Sequence, residues 1–152
     1  MTRINTVDVQ SLTDQHLMAE YRELPMVNAS LKRSLNSKRG FDINRIPKKY
    51  TLNSGHVTFF YDKGKWLHDR YQSLISELRN RNFDINPDER TVDWNVFIDY
   101  NLYNDWTPTQ ESKSINAERI IQRIEAKRSW YRYYRQAVVD ELFVENFKLK
   151  CI

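Results

Sequence analysis

Ser11-Leu12-Thr13-Asp14-Gln15-His16-Leu17-Met18-Ala19-Glu20-Tyr21-Arg22-Glu23-Leu24-Pro25 is the stretch from which the fold is read. Leu12, Leu17, Met18, Tyr21 and Leu24 recur at intervals close to three and four residues, the spacing of one buried helix face. The helix should begin near Ser11 or Thr13, and Ser11 followed by Asp14 resembles a capping box. Pro25 lacks the N–H that a continuing helix needs, so the helix should kink or end there. A continuation through Val27, Leu31 and Leu35 fits, closing before Gly40.

Working outward, Asp62 is a reasonable N-cap for a second helix, whose apolar stripe is Trp66, Leu67, Leu74, Ile75 and Leu78, ending near Asn82. A third helix should run over about residues 112–127, with Ile120, Ile121 and Ile124 inside. Between the first two helices, residues 41–56 read as irregular, with Pro47 and Gly55 as breakers. Asn86-Pro87 opens a long polar and aromatic connection to about Pro108. After Trp130-Tyr131-Arg132-Tyr133-Tyr134, the run from Ala137 to Phe147 leaves room for a short C-terminal fourth helix. Alternating β-branched runs are nearly absent. The expected class is all-α, a compact single domain of three main helices.

The chain has 152 residues, enough for one compact core. Three Gly and four Pro give little material for linkers or for Gly-rich loops that cradle phosphates, so a nucleotide cofactor is not expected. One cysteine, Cys151, excludes a disulfide framework or thiolate metal site within the chain and suits a reducing cytoplasm. Neither a signal-peptide pattern nor an apolar run of membrane-spanning length is present, and the expected location is cytoplasmic. The net charge of +4 says less than its distribution. Residues 22–49 carry eight basic and two acidic side chains, residues 84–111 one and seven, and residues 113–135 seven and two. That alternation points to one face turned toward a polyanion and another turned away.

Met1-Thr2-Arg3-Ile4-Asn5, followed by Asp14 to Pro25, closely resembles the phage pyrimidine-dimer DNA glycosylases of the endonuclease V type. Gly55-His56-Val57-Thr58-Phe59-Phe60-Tyr61-Asp62-Lys63 and the block Trp130 to Tyr134 match in the same order. The resemblance implies a nucleophile that is the α-amino group of Thr2, exposed when Met1 is removed, and a glutamate on the first helix, Glu23, completing the site. An α-amine has a pKa of about 7.7–8.0, so about a tenth or more is free base near neutrality, against about 0.1% for a lysine near 10.4. The implied reaction is attack of this amine on the anomeric carbon, expulsion of the base and formation of an imine. Glu23 then assists sugar opening and takes a proton from the neighbouring carbon, and β-elimination breaks the strand. No metal or other cofactor is needed. A monomer acting on double-stranded DNA with a damaged base follows.

The resemblance also implies that Arg3 and Arg22, beside the catalytic positions, hold DNA phosphates, as do Arg119 and Arg123. The last two are four apart on the third helix, with Lys127 one turn further; spacing alone reads more readily as a solvated face. Trp130, Tyr131, Tyr133 and Tyr134 offer stacking surfaces for bases or packing for the core, some members each way. Phe59, Phe60 and Tyr61 read as core. His16 and Glu20 sit one turn apart, a metal-binding spacing, but no second histidine follows. With Asp14 they are expected to cap and polarise the helix near the site.

The match departs at Met26, where the family commonly has arginine, and in the acidic segment 84–111, with Trp94 and Trp106 unexplained. It departs again in the tail, which makes residues 136–152 an extension of a domain spanning 1–152. The readings are a glycosylase with coupled lyase activity on cyclobutane pyrimidine dimers, the same imine chemistry on another damaged or modified base, or a non-catalytic DNA-binding relative. Keeping both Thr2 and Glu23 argues against the last.

Overall fold

The computed structural model describes residues 3–137 and 139–151, and among them all regular structure is helical, apart from an isolated bridge between Tyr133 and Gln136. The helices are α1 (Asp14–Glu23), α2 (Pro25–Asn36), α3 (His56–Phe59), α4 (Gly64–Asn80), α5 (Trp94–Asp99), α6 (Gln110–Ala126) and α7 (Glu141–Cys151). The three expected main helices are α1 with α2, α4 and α6. The tail helix is α7, which starts later than Ala137 and runs further; Val138, inside the expected range, lies outside the described residues. None of these helices is long and apolar enough to cross a membrane.

Two capping expectations need correction. Helix α1 is capped by Thr13, whose side-chain oxygen accepts the His16 N–H at 3.2 Å, while Ser11 closes a 3₁₀ turn over Val9–Ser11. Asp14 is drawn elsewhere: its carboxylate accepts the N–H groups of Tyr134 (3.1 Å) and Arg135 (2.7 Å) and the guanidinium of Arg81 (3.0 Å). Tyr134 and Arg135 both have left-handed backbone, φ 51 and 65, which costs non-glycine residues roughly 1–2 kcal/mol each. Two amide bonds to one buried carboxylate offset that cost and fix the aromatic block against the start of α1. At α4, Lys63 and not Asp62 occupies the N-cap, and its side chain makes no capping bond. The free donors are met by a neighbouring loop instead, Gly64 N–H to the Leu102 carbonyl at 2.9 Å and Trp66 N–H to that of Asn104 at 3.4 Å.

Pro25 ends α1 and starts α2. Leu24 keeps helical backbone, φ −56 and ψ −42, so α2 begins at once with proline in its first turn, where a missing N–H breaks nothing. The core forms where Leu17, Tyr21 and Leu24 of this pair meet Leu67, Tyr71, Leu74 and Leu78 of α4 and Ile120, Ile121 and Ile124 of α6. The segment 84–111, read from sequence as a connection, contains α5. Asp93 caps it through the Asn95 N–H at 3.2 Å, and Phe97 is fully buried. Phe97 lies so close to Gly64 that a Cβ there would come within 2.6 Å of its ring. Trp94 stacks on His68 at 4.3 Å, and Trp106 packs edge-on against Phe59, Phe60 and Trp66, so both tryptophans belong to the packing. Phe59, Phe60 and Tyr61 are core, as expected.

Candidate active site

Residues 4–7 are non-helical yet almost completely buried, so their backbone groups must find partners that a helix would have supplied internally. Side chains from four other parts of the chain supply them. Ile4 N–H donates to His56 Nε2 at 2.7 Å, and the Ile4 carbonyl accepts the Tyr50 hydroxyl at 2.9 Å. Asn116 Oδ1 accepts the N–H groups of Thr6 (2.9 Å) and Val7 (3.3 Å), and the Val7 carbonyl accepts Arg70 at 2.7 Å. The Asn5 side chain bridges Glu20 (2.8 Å) and Asn116 (2.7 Å). Glu20 is itself held by Arg70 through bonds of 2.7 and 2.9 Å.

This pinned segment forms one wall of a cleft of about 520 Å³, with α1 and α6 as the others. Arg3, Glu23, Arg119 and Arg123, four residues singled out in the sequence, line it together with His16 and Tyr131. Glu23 closes α1 and accepts the Arg3 backbone N–H on Oε2 at 3.1 Å. Burial pushes its carboxyl above the usual value, against the Arg3 hydrogen bond, which favours the anion. Burial also lowers the Arg3 guanidinium, and repulsion from Arg119 and Arg123 adds to this. Three cations are therefore gathered on one cleft beside the half-buried carboxylate of Glu23, while the other carboxylate lining it, Glu20, is paired with Arg70. No ion pair among the described residues involves Arg119 or Arg123. Such a cleft attracts polyanions, and its Glu23 carboxyl group, raised by burial, holds a proton more readily than a solvent-exposed one.

His16 stacks on Tyr131 with ring centroids 5.0 Å apart and planes 8° from parallel, and its Nδ1 lies 2.6 Å from the Thr13 hydroxyl. Its pKa is lowered to about 4, chiefly by burial and then by Arg3 and Arg123, so the ring is neutral near pH 7. The three residues expected to act together at the head of α1 do different things. Asp14 fixes the aromatic block, His16 faces the cleft, and Glu20 is tied to Arg70 and Asn5. Both Glu20 oxygens are already engaged by Arg70 and Asn5, and no metal-binding group of three or more His, Cys, Asp or Glu occurs among the described residues.

Arg22 is exposed and lines a neighbouring hollow of about 650 Å³, which shares Ala19 with the cleft. Met18, Phe83, Trp130, Arg132 and Arg135 line it too, with Asp14 and Gln15 from the start of α1. Trp130 is 58% exposed and Tyr131 buried, so the aromatic block divides between surface and core. Met26 is also exposed, in the first turn of α2. Lys127 sits just past the end of α6. Thr2 lies outside the described residues.

His56, Tyr50, Asn116, Asn5 and Arg70 were missed as site-builders. Asn5 and His56 stand inside the blocks that carry the resemblance, and Asn116 is a polar residue one turn before Ile120 on an otherwise apolar stripe; Tyr50 and Arg70 carry no such signal. His56 is buried and lowered to about 4 by burial, opposed by its hydrogen bond to the Thr51 carbonyl at 2.7 Å. Donating there from Nδ1 leaves Nε2 as the acceptor that Ile4 requires.

A family model described as pyrimidine dimer DNA glycosylase matches residues 1–91. Arg3, His16, Arg22, Glu23 and His56 fall inside that range. Arg119, Arg123 and Tyr131 join the same cleft from beyond it.

Proposed function

The chain belongs to the pyrimidine dimer DNA glycosylase family, and on that premise we propose that it excises the 5′ base of a cyclobutane pyrimidine dimer with the α-amine of Thr2. The protein is a DNA repair glycosylase; the imine and the coupled strand cleavage are our reading. The amine, freed by loss of Met1, attacks the anomeric carbon as the glycosidic bond breaks; the base leaves the sugar with the electron pair and stays joined to its 3′ neighbour through the cyclobutane ring. Loss of the amine proton and opening of the sugar leave an imine. Glu23 serves ring opening and then takes a proton from the adjacent carbon, and β-elimination expels the 3′ phosphate. Arg3, Arg22, Arg119 and Arg123 hold backbone phosphates, each contact releasing counterions. We take residues 1–152 to work as one glycosylase/lyase domain, with 136–152 as its extension.

The observation that carries this reading is the 3.1 Å bond between the Arg3 N–H and Glu23. Covalent geometry keeps the amine of the preceding residue within about 4 Å of that nitrogen. What supports the reading is that the residue next to this amine meets, through its own N–H, a carboxylate of raised pKa in a cleft lined with cations, the pairing the chemistry requires. The adjoining hollow, with Trp130 and Phe83 among three arginines, suits a base displaced from the duplex. Met26, exposed where the family commonly has arginine, favours a second reading with the same chemistry on another damaged base. A panel of end-labelled duplexes, each with one lesion, decides between them. Nicking is expected at the dimer and none by protein that retains Met1; preference for another lesion supports the second reading.

A further inference from the structure

An N-terminal nucleophile poses a mechanical problem, because a chain end is ordinarily the least ordered part of a fold. Here the solution begins two residues inward. Residues 4–7 are buried without helix or sheet, and each backbone contact described above is made by a side chain. Within this segment the backbone N–H nearest the chain end is held by His56. Its ring stands edge-on to Tyr50 (5.4 Å) and Phe60 (5.6 Å), so it cannot swing away from Ile4. It opens α3 directly after Gly55, whose left-handed backbone (φ 87) turns the chain into the helix. One side chain thus connects the Thr51 carbonyl on Nδ1 with the Ile4 N–H on Nε2.

We propose that His56 is a positioning residue for the reaction: by accepting the Ile4 N–H on Nε2, it fixes the peptide between Arg3 and Ile4 and so aims the N-terminal amine at Glu23 and the cleft. This rests on the imine reading above. Tyr50 does the complementary work on the other side of the same residue, holding the Ile4 carbonyl. The Arg3 N–H to Glu23 bond is the next link toward the chain end, and its geometry depends on both. Neither His56 nor Tyr50 touches substrate in this account. Their effect falls mainly on the rate at which the amine reacts, since three of the four phosphate-binding arginines, Arg22, Arg119 and Arg123, are held independently on α1 and α6. A misplacement of about 1 Å at a reacting group can cost about a hundredfold in rate.

The test compares wild type with His56→Phe, His56→Gln and Tyr50→Phe. Three quantities are read: the single-turnover rate of borohydride-trapped adduct at saturating enzyme, the Kd for a non-cleavable abasic analogue, and hydrogen exchange at the Ile4 amide. His56→Phe keeps a ring of similar size but offers no acceptor. It should slow trapping by about 10- to 100-fold with Kd little changed, and should expose the Ile4 amide to exchange. The Gln side-chain oxygen reaches nearly as far as Nε2, so His56→Gln should recover most of the rate. Tyr50→Phe removes only a hydroxyl and repeats the test where His56→Phe does not fold: slowed trapping at constant Kd supports the proposal. Full-rate trapping by the acceptor-less variant, no recovery with Gln, or equal losses in rate and binding overturns it. Absence of a wild-type adduct, or one on a lysine, overturns the imine reading and the aiming role with it.

Discussion

Acidifying the protein from pH 7.5 to 5 should remove about 4 kcal/mol of stability, and two histidines should account for most of it. His16 and His56 each fall from 6.5 to about 4 on folding, in both cases first by burial. The unfolded chain therefore binds protons that the folded chain refuses. Stability is complete above about pH 6.5 and is lost as pH falls from there toward 4. At pH 5 an unfolded histidine is almost fully protonated and a folded one about a tenth so, worth about 2 kcal/mol for each. For His56 the cause is visible in the contacts, because a proton on Nε2 would face the Ile4 N–H at 2.7 Å. Glu23 works in the opposite direction, since its raised carboxyl takes a proton more readily in the folded state. Urea unfolding followed by tryptophan fluorescence measures the sum. With a slope near 2 kcal/mol per molar, the midpoint should drop by about 2 M between pH 7.5 and 5. His16→Gln and His56→Gln should each remove about half of that dependence. A midpoint that does not move, or that moves equally in both variants and wild type, would show that burial of these two rings does not set the pH dependence.

Two further outcomes follow from the cleft. Arg119→Ala and Arg123→Ala should each weaken binding to damaged and undamaged DNA alike and reduce the salt slope by roughly one, as read by titration at several ionic strengths; unchanged slopes would place this face of α6 away from the duplex. Glu23→Gln should bind but not excise, and a fluorescent adenine analogue opposite a dimer should brighten on binding it while one opposite undamaged thymine stays dim; near-normal turnover would give the carboxylate's role to another group.

The parts of this fold legible in the sequence are those governed by local rules. The apolar stripes of α1, α4 and α6 repeat often enough to show, and Pro25 marks its boundary because the missing N–H acts wherever proline sits. Helix α5 stayed hidden in the acidic segment because six residues are too few to display a helical period, and what holds it is Phe97 against Gly64, a contact between distant positions. The capping errors have the same origin. Asp14 resembles a capping partner until the turn at Tyr134 and Arg135 claims its carboxylate, and the donors of α4 are met by residues 102 and 104. Arg3, Glu23, Arg119 and Arg123 were found through a resemblance, and the fold gathers them on one cleft. The side chains that hold the N-terminal segment were not found, because a histidine or tyrosine bonded to backbone far along the chain leaves no mark on local spacing.

The identity of the nucleophilic nitrogen tests the account most directly. Protein incubated with a dimer-containing duplex and borohydride, then digested and read by mass spectrometry, should carry the reduced sugar on the α-nitrogen of Thr2, with Met1 absent. An adduct on Lys63 or any other lysine, or on a chain that still begins with Met1, would contradict it.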